Sequence, residues 1–193
     1  MDLAQKYLEG ASLVSNRGKL LQKVPKGVVT CEAGVASGDF SRMMLQIIRP
    51  GKHYMVDSWI DPGRYDEDVF QSVLVSFAEE IQDGQVEIIR SEAYKGILSL
   101  PDNSLDFIYI DTSHSYEDTA RELAAAKSKI TDTGIIAGHD YRVGRFVPNH
   151  RVFLSYGVID AVNEFMVQND FKLKYLTFEP DQFYSFALQR MDD

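Results

Sequence analysis

Seven acids and histidines of this 193-residue chain stand at or just after the ends of short apolar runs, where a sheet would gather them on one edge. Glu32 follows the run 28–31 (VVTC), and Asp57 ends 52–57 (KHYMVD). Glu92 comes after 86–89, Asp111 after 105–110 (LDFIYI), and His114 three residues further on. His139 and Asp140 follow 133–137. An ionised carboxylate at such a place can accept hydrogen bonds from both hydroxyls of a ribose. Two carboxylates on neighbouring strands can hold a hard divalent cation. A histidine, with an unperturbed pKa of about 6.5, can take a proton at neutral pH.

The stretch 27–44 (GVVTCEAGVASGDFSRMM) has to position the first of these groups. Its apolar run reads as a strand buried on both faces. A loop of Gly34, Val35, Ala36, Ser37 and Gly38 follows, and then Phe40, Met43, Met44 and Ile47 recur at helical spacing until Pro50-Gly51. Strand, glycine loop and helix together bring backbone N–H groups and a helix N-terminus up to a nucleotide-like ligand. The spacing is E-x-G-x-x-x-G. Ala36 stands where the middle glycine of the dinucleotide fingerprint G-x-G-x-x-G belongs, and no Gly-Lys-Ser/Thr of a P-loop is present.

The rest of the chain alternates between the two periods. Asp57 lies 25 residues after Glu32, near the spacing at which an acid takes up a ribose. Ser58 and Trp59 come next, and the tryptophan can either stack on a ligand ring or anchor the core. Val69, Val73, Phe77 and Ile81 predict one helix over 66–82, and Asp83-Gly84 turns into a strand at 86–89. Ser91 suits a helix cap. Tyr116, Ala120, Leu123 and Ala124 mark a helix with Lys127 and Lys129 at its C-terminal end, where cations suit the dipole. Val158, Ile159, Val162, Phe165 and Met166 mark another, and 171–177 and 182–188 read as strands joined through Glu179-Pro180-Asp181. Residues 1–23 read as a cap of one or two short helices. The alternation predicts one α/β domain over 1–193, a Rossmann-like three-layer sandwich whose seven-stranded, mainly parallel sheet ends in an antiparallel hairpin.

Glu-x-Gly-x-x-x-Gly resembles motif I of the class I S-adenosylmethionine (SAM)-dependent methyltransferases. IDTSHSYE and IIAGHDY resemble the small-molecule O-methyltransferase-like branch, which ends its fourth strand in an I-D-G-D-H-S-Y-E type string and its fifth in His-Asp. The likeness runs from about residue 27 to 166, with Thr112 and Ser113 in place of the expected Gly-Asp. It implies SAM as cofactor, held by Glu32, the loop 34–38, Asp57, Ser58, Trp59, Ser91, Glu92, Ala93 and Asp111. In that class the residues after the third strand reach the adenine, so Glu92 resembles an acceptor for its exocyclic amine. His114 resembles a general base in the place of the lysine of catechol-type enzymes, with a helix-capping or carbonyl-bonding histidine as the other reading. Asp111 and Asp140, with His139, could hold a divalent metal such as magnesium. Alternatively, Asp111 binds the methionine amine of SAM and Asp140 orients a histidine.

Methyl transfer to a hydroxyl requires the acceptor to be held in line with the sulfonium and its proton removed. The expected function is therefore a SAM-dependent methyltransferase acting on a small molecule, at oxygen. A SAM- or nucleoside-binding domain without catalysis is the alternative, and a nicotinamide-dependent oxidoreductase is disfavoured by the missing glycine. No Asn/Asp-Pro-Pro-Tyr/Phe and no Pro-Cys is present, which disfavours methylation of base amino groups and of cytosine C5.

Composition narrows the partners. With 29 acidic and 20 basic residues the net charge is −9, which argues against a nucleic-acid substrate. The segment 141–159 nevertheless holds Arg142, Arg145, His150 and Arg151 and no acid, either as a site for an anionic acceptor or as a solvated loop. No apolar run reaches membrane-spanning length, the first residues lack a signal-peptide pattern, and the single cysteine, Cys31, falls in a predicted strand. A cytoplasmic protein without nucleic-acid or membrane partners is expected, with a homodimer left open.

Overall fold

The computed structural model describes residues 3–147 and 151–191. The strand 105–110 shows why the sheet forms as it does. In β5 (Leu105–Ile110) Phe107 and Tyr109 are buried on one face, and Leu105, Ile108 and Ile110 are buried as well. Such a strand needs helices on both sides. Around it lie β2 (Val29–Ala33), β3 (Lys52–Asp57), β4 (Val86–Arg90) and β6 (Ile130–Gly138), all parallel. β9 (Phe171–Thr177) and β10 (Phe186–Arg190) close the sheet as an antiparallel pair, with β10 beside β6. An eighth strand, β1 (Ser12–Val14), adds to the outer edge parallel to β9, giving the order β1-β9-β10-β6-β5-β2-β3-β4.

The helices fill two layers. α1 (Arg17–Leu21) and α2 (Asp39–Ile47) pack Leu20, Leu21, Phe40 and Met44 against Phe107 and Tyr109. α3 (Glu67–Ser76) and α4 (Ala78–Gln82) continue that layer over β3 and β4. On the other face, α5 (Ala93–Ser99), α6 (Tyr116–Lys129) and α7 (Val158–Asn169) bury Ile97, Leu123, Val162 and Met166 against Ile108, Ile110 and Ile136. Among the described residues no helix is long and apolar enough to cross a membrane.

Four local features differ from the sequence expectations. The N-terminal segment holds a 3-10 turn (Gln5–Tyr7) and α1, but between them lies β1, whose Leu13 is 69% exposed and belongs to no core. The helix expected over 66–82 is interrupted at Phe77, which turns inward so that its ring packs against Gly38 of the loop. The last strand begins at Phe186 rather than 182, because 182–185 loops back: the Ser185 amide donates to Thr177 Oγ1 at 2.6 Å. After Asp140 the chain forms a small hairpin, β7 (Gly144–Val147) and β8 (Val152–Ser155), rather than an open loop. His150 lies outside the described residues.

A hydrogen-bonded chain crosses the core beneath the loop. Ser41 donates to Glu32, and the His53 ring bridges Ser41 Oγ, 3.1 Å from Nε2, and Thr30 Oγ1, 2.8 Å from Nδ1. Burial lowers the His53 pKa from 6.5 to about 3. Below 6.5 the unfolded chain takes up a proton that the folded chain refuses, so this residue's contribution to stability is lost as pH falls from 6.5 towards about 3. His53→Gln should flatten the decline of urea-unfolding stability over that window. Equal slopes for the variant and the wild type would contradict this.

Candidate active site

The end of β2 and the end of β5 meet at one glycine. A Cβ at Gly34 would lie 1.9 Å from the backbone oxygen of Asp111, and its φ is +93°. The Asp111 amide in turn donates to Ala33 O at 2.8 Å, and the Gly34 amide to Val56 O at 2.9 Å. Three strand ends are thereby laced together, and the loop leaves them towards α2. Asp57 holds this loop from the next strand, since its Oδ2 accepts from the Ala36 amide at 2.9 Å and its Oδ1 from the Trp59 amide at 3.0 Å.

A cavity of about 680 Å³ opens beside these groups, within the usual size range of small-ligand sites. Of the residues expected to hold a cofactor, Gly34, Ala36, Asp57, Ser58, Glu92, Ala93 and Asp111 line it. The others stand behind the wall. Trp59 is buried with Val35 in a core cluster, and its Nε1 donates to Ala36 O at 2.9 Å, so it anchors the core rather than stacking on a ligand. Gly38 caps α2 under Phe77, and Ser37 turns outward to Asp39. Ser91 does not cap α5, whose N-cap residue is Glu92. Its amide is bound to Asp57 O at 2.9 Å. Glu32 is buried against Ser41, and burial raises its pKa to about 8, against the lowering effect of the Ser41 bond.

The second half of the site is a cluster at the ends of β5 and β6. Asp111, His139 and Asp140 each bring one ligand atom to within 4.8 Å of the others. His139 Nδ1 lies 3.6 Å from both Asp111 Oδ2 and Asp140 Oδ2, and His114 Nε2 lies 3.1 Å from Asp140 Oδ2. Asp140 is buried, and its Oδ1 has no hydrogen-bond partner. Burial opposes its charge, but the His139 hydrogen bond and the charges of His114, His139 and Arg142 outweigh it and lower the pKa. Burial raises the Asp111 pKa, against the lowering effect of the two histidines. Two carboxylates, one of them with an orphaned buried oxygen, and one imidazole fit a divalent cation.

His114 and Asp140 both hold left-handed backbone, at φ +61° and +57°. Such conformations cost of order 1–3 kcal/mol for non-glycine residues and gather at functional sites. Here they turn the two side chains towards each other. The cap of α6 is supplied by Ser115, whose Oγ accepts from the Asp118 amide at 3.1 Å, so His114 is not needed there. The Tyr156 ring lies 5.0 Å from the His114 ring, and the Gly157 amide donates to His114 O, so the foot of the hairpin braces this residue.

Three residues of the site carried no signal in the sequence. Arg17, on α1, reaches within 3.9 Å of Asp111 Oδ2. Phe183, from the loop before β10, stacks parallel to His139 at 6.2 Å and carries Arg142 on its ring at 4.4 Å. Glu122 lies inside α6 and lines the cavity while buried. Its Oε2 accepts from Thr112 at 2.7 Å, and burial raises its pKa to about 7. Each depends on a loop or helix being folded over the strand ends, which spacing along the chain does not reveal. Cys31 is buried and its thiol pKa is pushed far up by that burial, which leaves it inert.

Strand order and the closing antiparallel pair define a Rossmann-like methyltransferase fold. Residues 31–141 match the family model described as Methyltransferase domain, more than half of the chain, and the chain belongs to that family. SAM is accordingly its cofactor. Among solved structures it is similar to a SAM-dependent methyltransferase from Aquifex aeolicus, at TM-score 0.62 and 18% identity over 96% of this chain and 92% of that one. A Streptococcus mutans protein in complex with S-adenosylhomocysteine (SAH) matches at TM-score 0.62 and 12% identity, over 91% and 96% of the two chains. A Clostridium thermocellum protein described as a candidate rRNA methylase matches at TM-score 0.65 and 12% identity, over 92% and 94%. At these identities the likeness is one of fold. No curated protein matches by sequence.

The close approach at Gly34 gives a direct test. Gly34→Ala should weaken SAH binding, read by calorimetry, by at least about tenfold, because the new methyl must displace the Asp111 backbone. Gly10→Ala shares the left-handed φ, at +78°, but meets nothing within 4 Å and should leave binding unchanged. Equal effects would contradict the steric account.

Proposed function

We propose that this chain is an O-methyltransferase that moves the methyl group of SAM to a hydroxyl of a small, anionic molecule, with a divalent metal at Asp111, His139 and Asp140. The observation that carries this reading is that Asp111 belongs both to the cofactor cavity and to the strand-end cluster. A methyl donor and a metal-held hydroxyl would share that carboxylate as a common wall. A metal bound there polarises an acceptor hydroxyl and lowers its pKa.

The chain's own groups have distinct parts in this reading. The Asp140 carboxylate fixes the His114 ring, and with Nε2 committed to that bond, Nδ1 is the nitrogen that takes the acceptor's proton. Phe183 packs on the His139 ring and Tyr156 on the His114 ring. Arg17 stands on the α1 side of the cluster, while Arg142, Arg145 and Arg151 lie along the hairpin segment. In a chain of net charge −9, cations on two sides of one cluster favour an anionic acceptor. The same overall charge, and a cavity of small-ligand size, favour a small molecule over RNA.

The reading is tested by turnover of hydroxylated carboxylates and phosphates with labelled SAM. His114→Gln should lower kcat by roughly 10²–10⁴, the usual contribution of a general base, while SAH affinity stays within about threefold. Unchanged turnover in this variant would remove His114 from the chemistry. Methyl transfer that goes only to nitrogen acceptors would overturn the oxygen assignment.

A further inference from the structure

Two residues depart from the family string at the end of β5, and both departures are tied to acids of the next helix. Thr112 donates to Glu122, and Ser113 donates to Asp118. The first pair is the more informative. Glu122 is 4% exposed, yet it lines the cofactor cavity, and it is the only buried residue that does so among those described. Thr112 engages its Oε2 at 2.7 Å, which leaves Oε1 for whatever enters. A carboxyl group buried against a ligand cavity with one oxygen uncommitted must find a donor there or cost stability.

The topology says which part of the cofactor comes nearest. Asp111 lies at the β5 end of the cavity, and Asp57 ends β3, on the far side of β2. β4 is the edge strand next to β3, and the chain passes from it into α5 through Glu92 and Ala93, which also line the cavity. α6 packs against α5 and carries Glu122. With the ribose at Asp57 and the amino-acid end towards Asp111, the base is left the side of the cavity where α5 meets α6, and Ala93 and Glu122 line the wall there. Glu92, the acid expected from sequence to meet the base, has a half-exposed side chain paired to Lys95 at 3.0 Å.

We propose that Glu122, held by the Thr112 hydroxyl, is the residue that recognises the exocyclic amine of the cofactor's adenine and so sets purine specificity. The proposal rests on the SAM reading of the cavity. Burial raises the Glu122 pKa to about 7, and above that pH the carboxylate accepts from an amino group and repels a 6-oxo group, whereas an amide can donate to the 6-oxo group.

The test is calorimetric titration of the full chain with SAH and with S-inosylhomocysteine, its 6-oxo analogue. At about pH 8.5, above the Glu122 pKa of about 7, wild-type protein should bind SAH at least about tenfold more tightly, as for a hydrogen bond to a charged acceptor. Glu122→Gln should shrink that ratio by about tenfold, mainly through a gain for the 6-oxo ligand, which a purely structural role would not produce. Thr112→Val, which frees the carboxyl group without removing it, should lower the ratio in the same direction and serves if Glu122→Gln does not fold. Equal binding of both ligands by the wild type overturns the proposal without any variant. So does a ratio that both variants leave unchanged, or one that collapses in Glu92→Gln instead. Binding of neither ligand overturns the cofactor reading and the proposal together, while all the other outcomes leave the cofactor reading standing.

Discussion

Gly34 lies against the backbone carbonyl of Asp111 at a distance that no side chain could share. That contact locks the ends of β2 and β5 together and fixes where the loop to α2 can run. It also fixes where Asp111 points, since the carboxylate follows from a backbone that Ala33 and Gly34 grip from one side. β6 is registered on β5 in turn, with the His139 amide bound to Ile110 O at 3.0 Å. The cavity and the Asp111–His139–Asp140 cluster therefore share one rigid origin. A constellation that must be held within fractions of an ångström is better built on strand ends than on free loops.

Electrostatics then divides the site into two parts. Around the cavity two acids are buried enough to hold their protons up to about pH 8 and 7: Glu32, behind the wall in β2, and Glu122, on α6. At the cluster the two acids diverge, because burial raises the Asp111 pKa while that of Asp140 is lowered. Histidines and Arg142 lower the Asp140 pKa in spite of its burial, and although burial lowers the His139 pKa, the Asp140 hydrogen bond and the charges of Asp111 and Asp140 raise it on balance. Environments that push neighbouring groups apart in this way are what acid–base and metal chemistry require.

Much of this was legible in the sequence because it is local. The runs KHYMVD and LDFIYI became β3 and β5 with the expected boundaries. Asp57, Asp111, His139 and Asp140 stand at or just past the ends of parallel strands, whereas Glu32 lies inside β2 and is buried against Ser41. Periodicity failed where a single residue served a distant partner. Phe77 fits the helical stripe, but it leaves the helix to pack on Gly38, 39 residues away. Trp59, read equally as stacker or anchor, is decided by its bond to Ala36 O and its burial. Leu13 shows the opposite error, an apolar residue that pairs at a sheet edge with its side chain in solvent. Arg17, Phe183 and Glu122 were hidden for the same reason, because each reaches the site only after its own element has packed.

The account stands or falls on whether the strand-end cluster holds a metal next to the cofactor. Manganese titration of the SAH-loaded protein, followed by electron paramagnetic resonance, examines this without any acceptor. The account predicts one bound ion per chain in the wild type and its loss in Asp140→Asn, which removes the charge of the buried carboxylate while keeping its shape. Absence of stoichiometric binding, or binding that Asp140→Asn leaves intact, would contradict it. The cluster would then be a hydrogen-bonded mount for His114 alone.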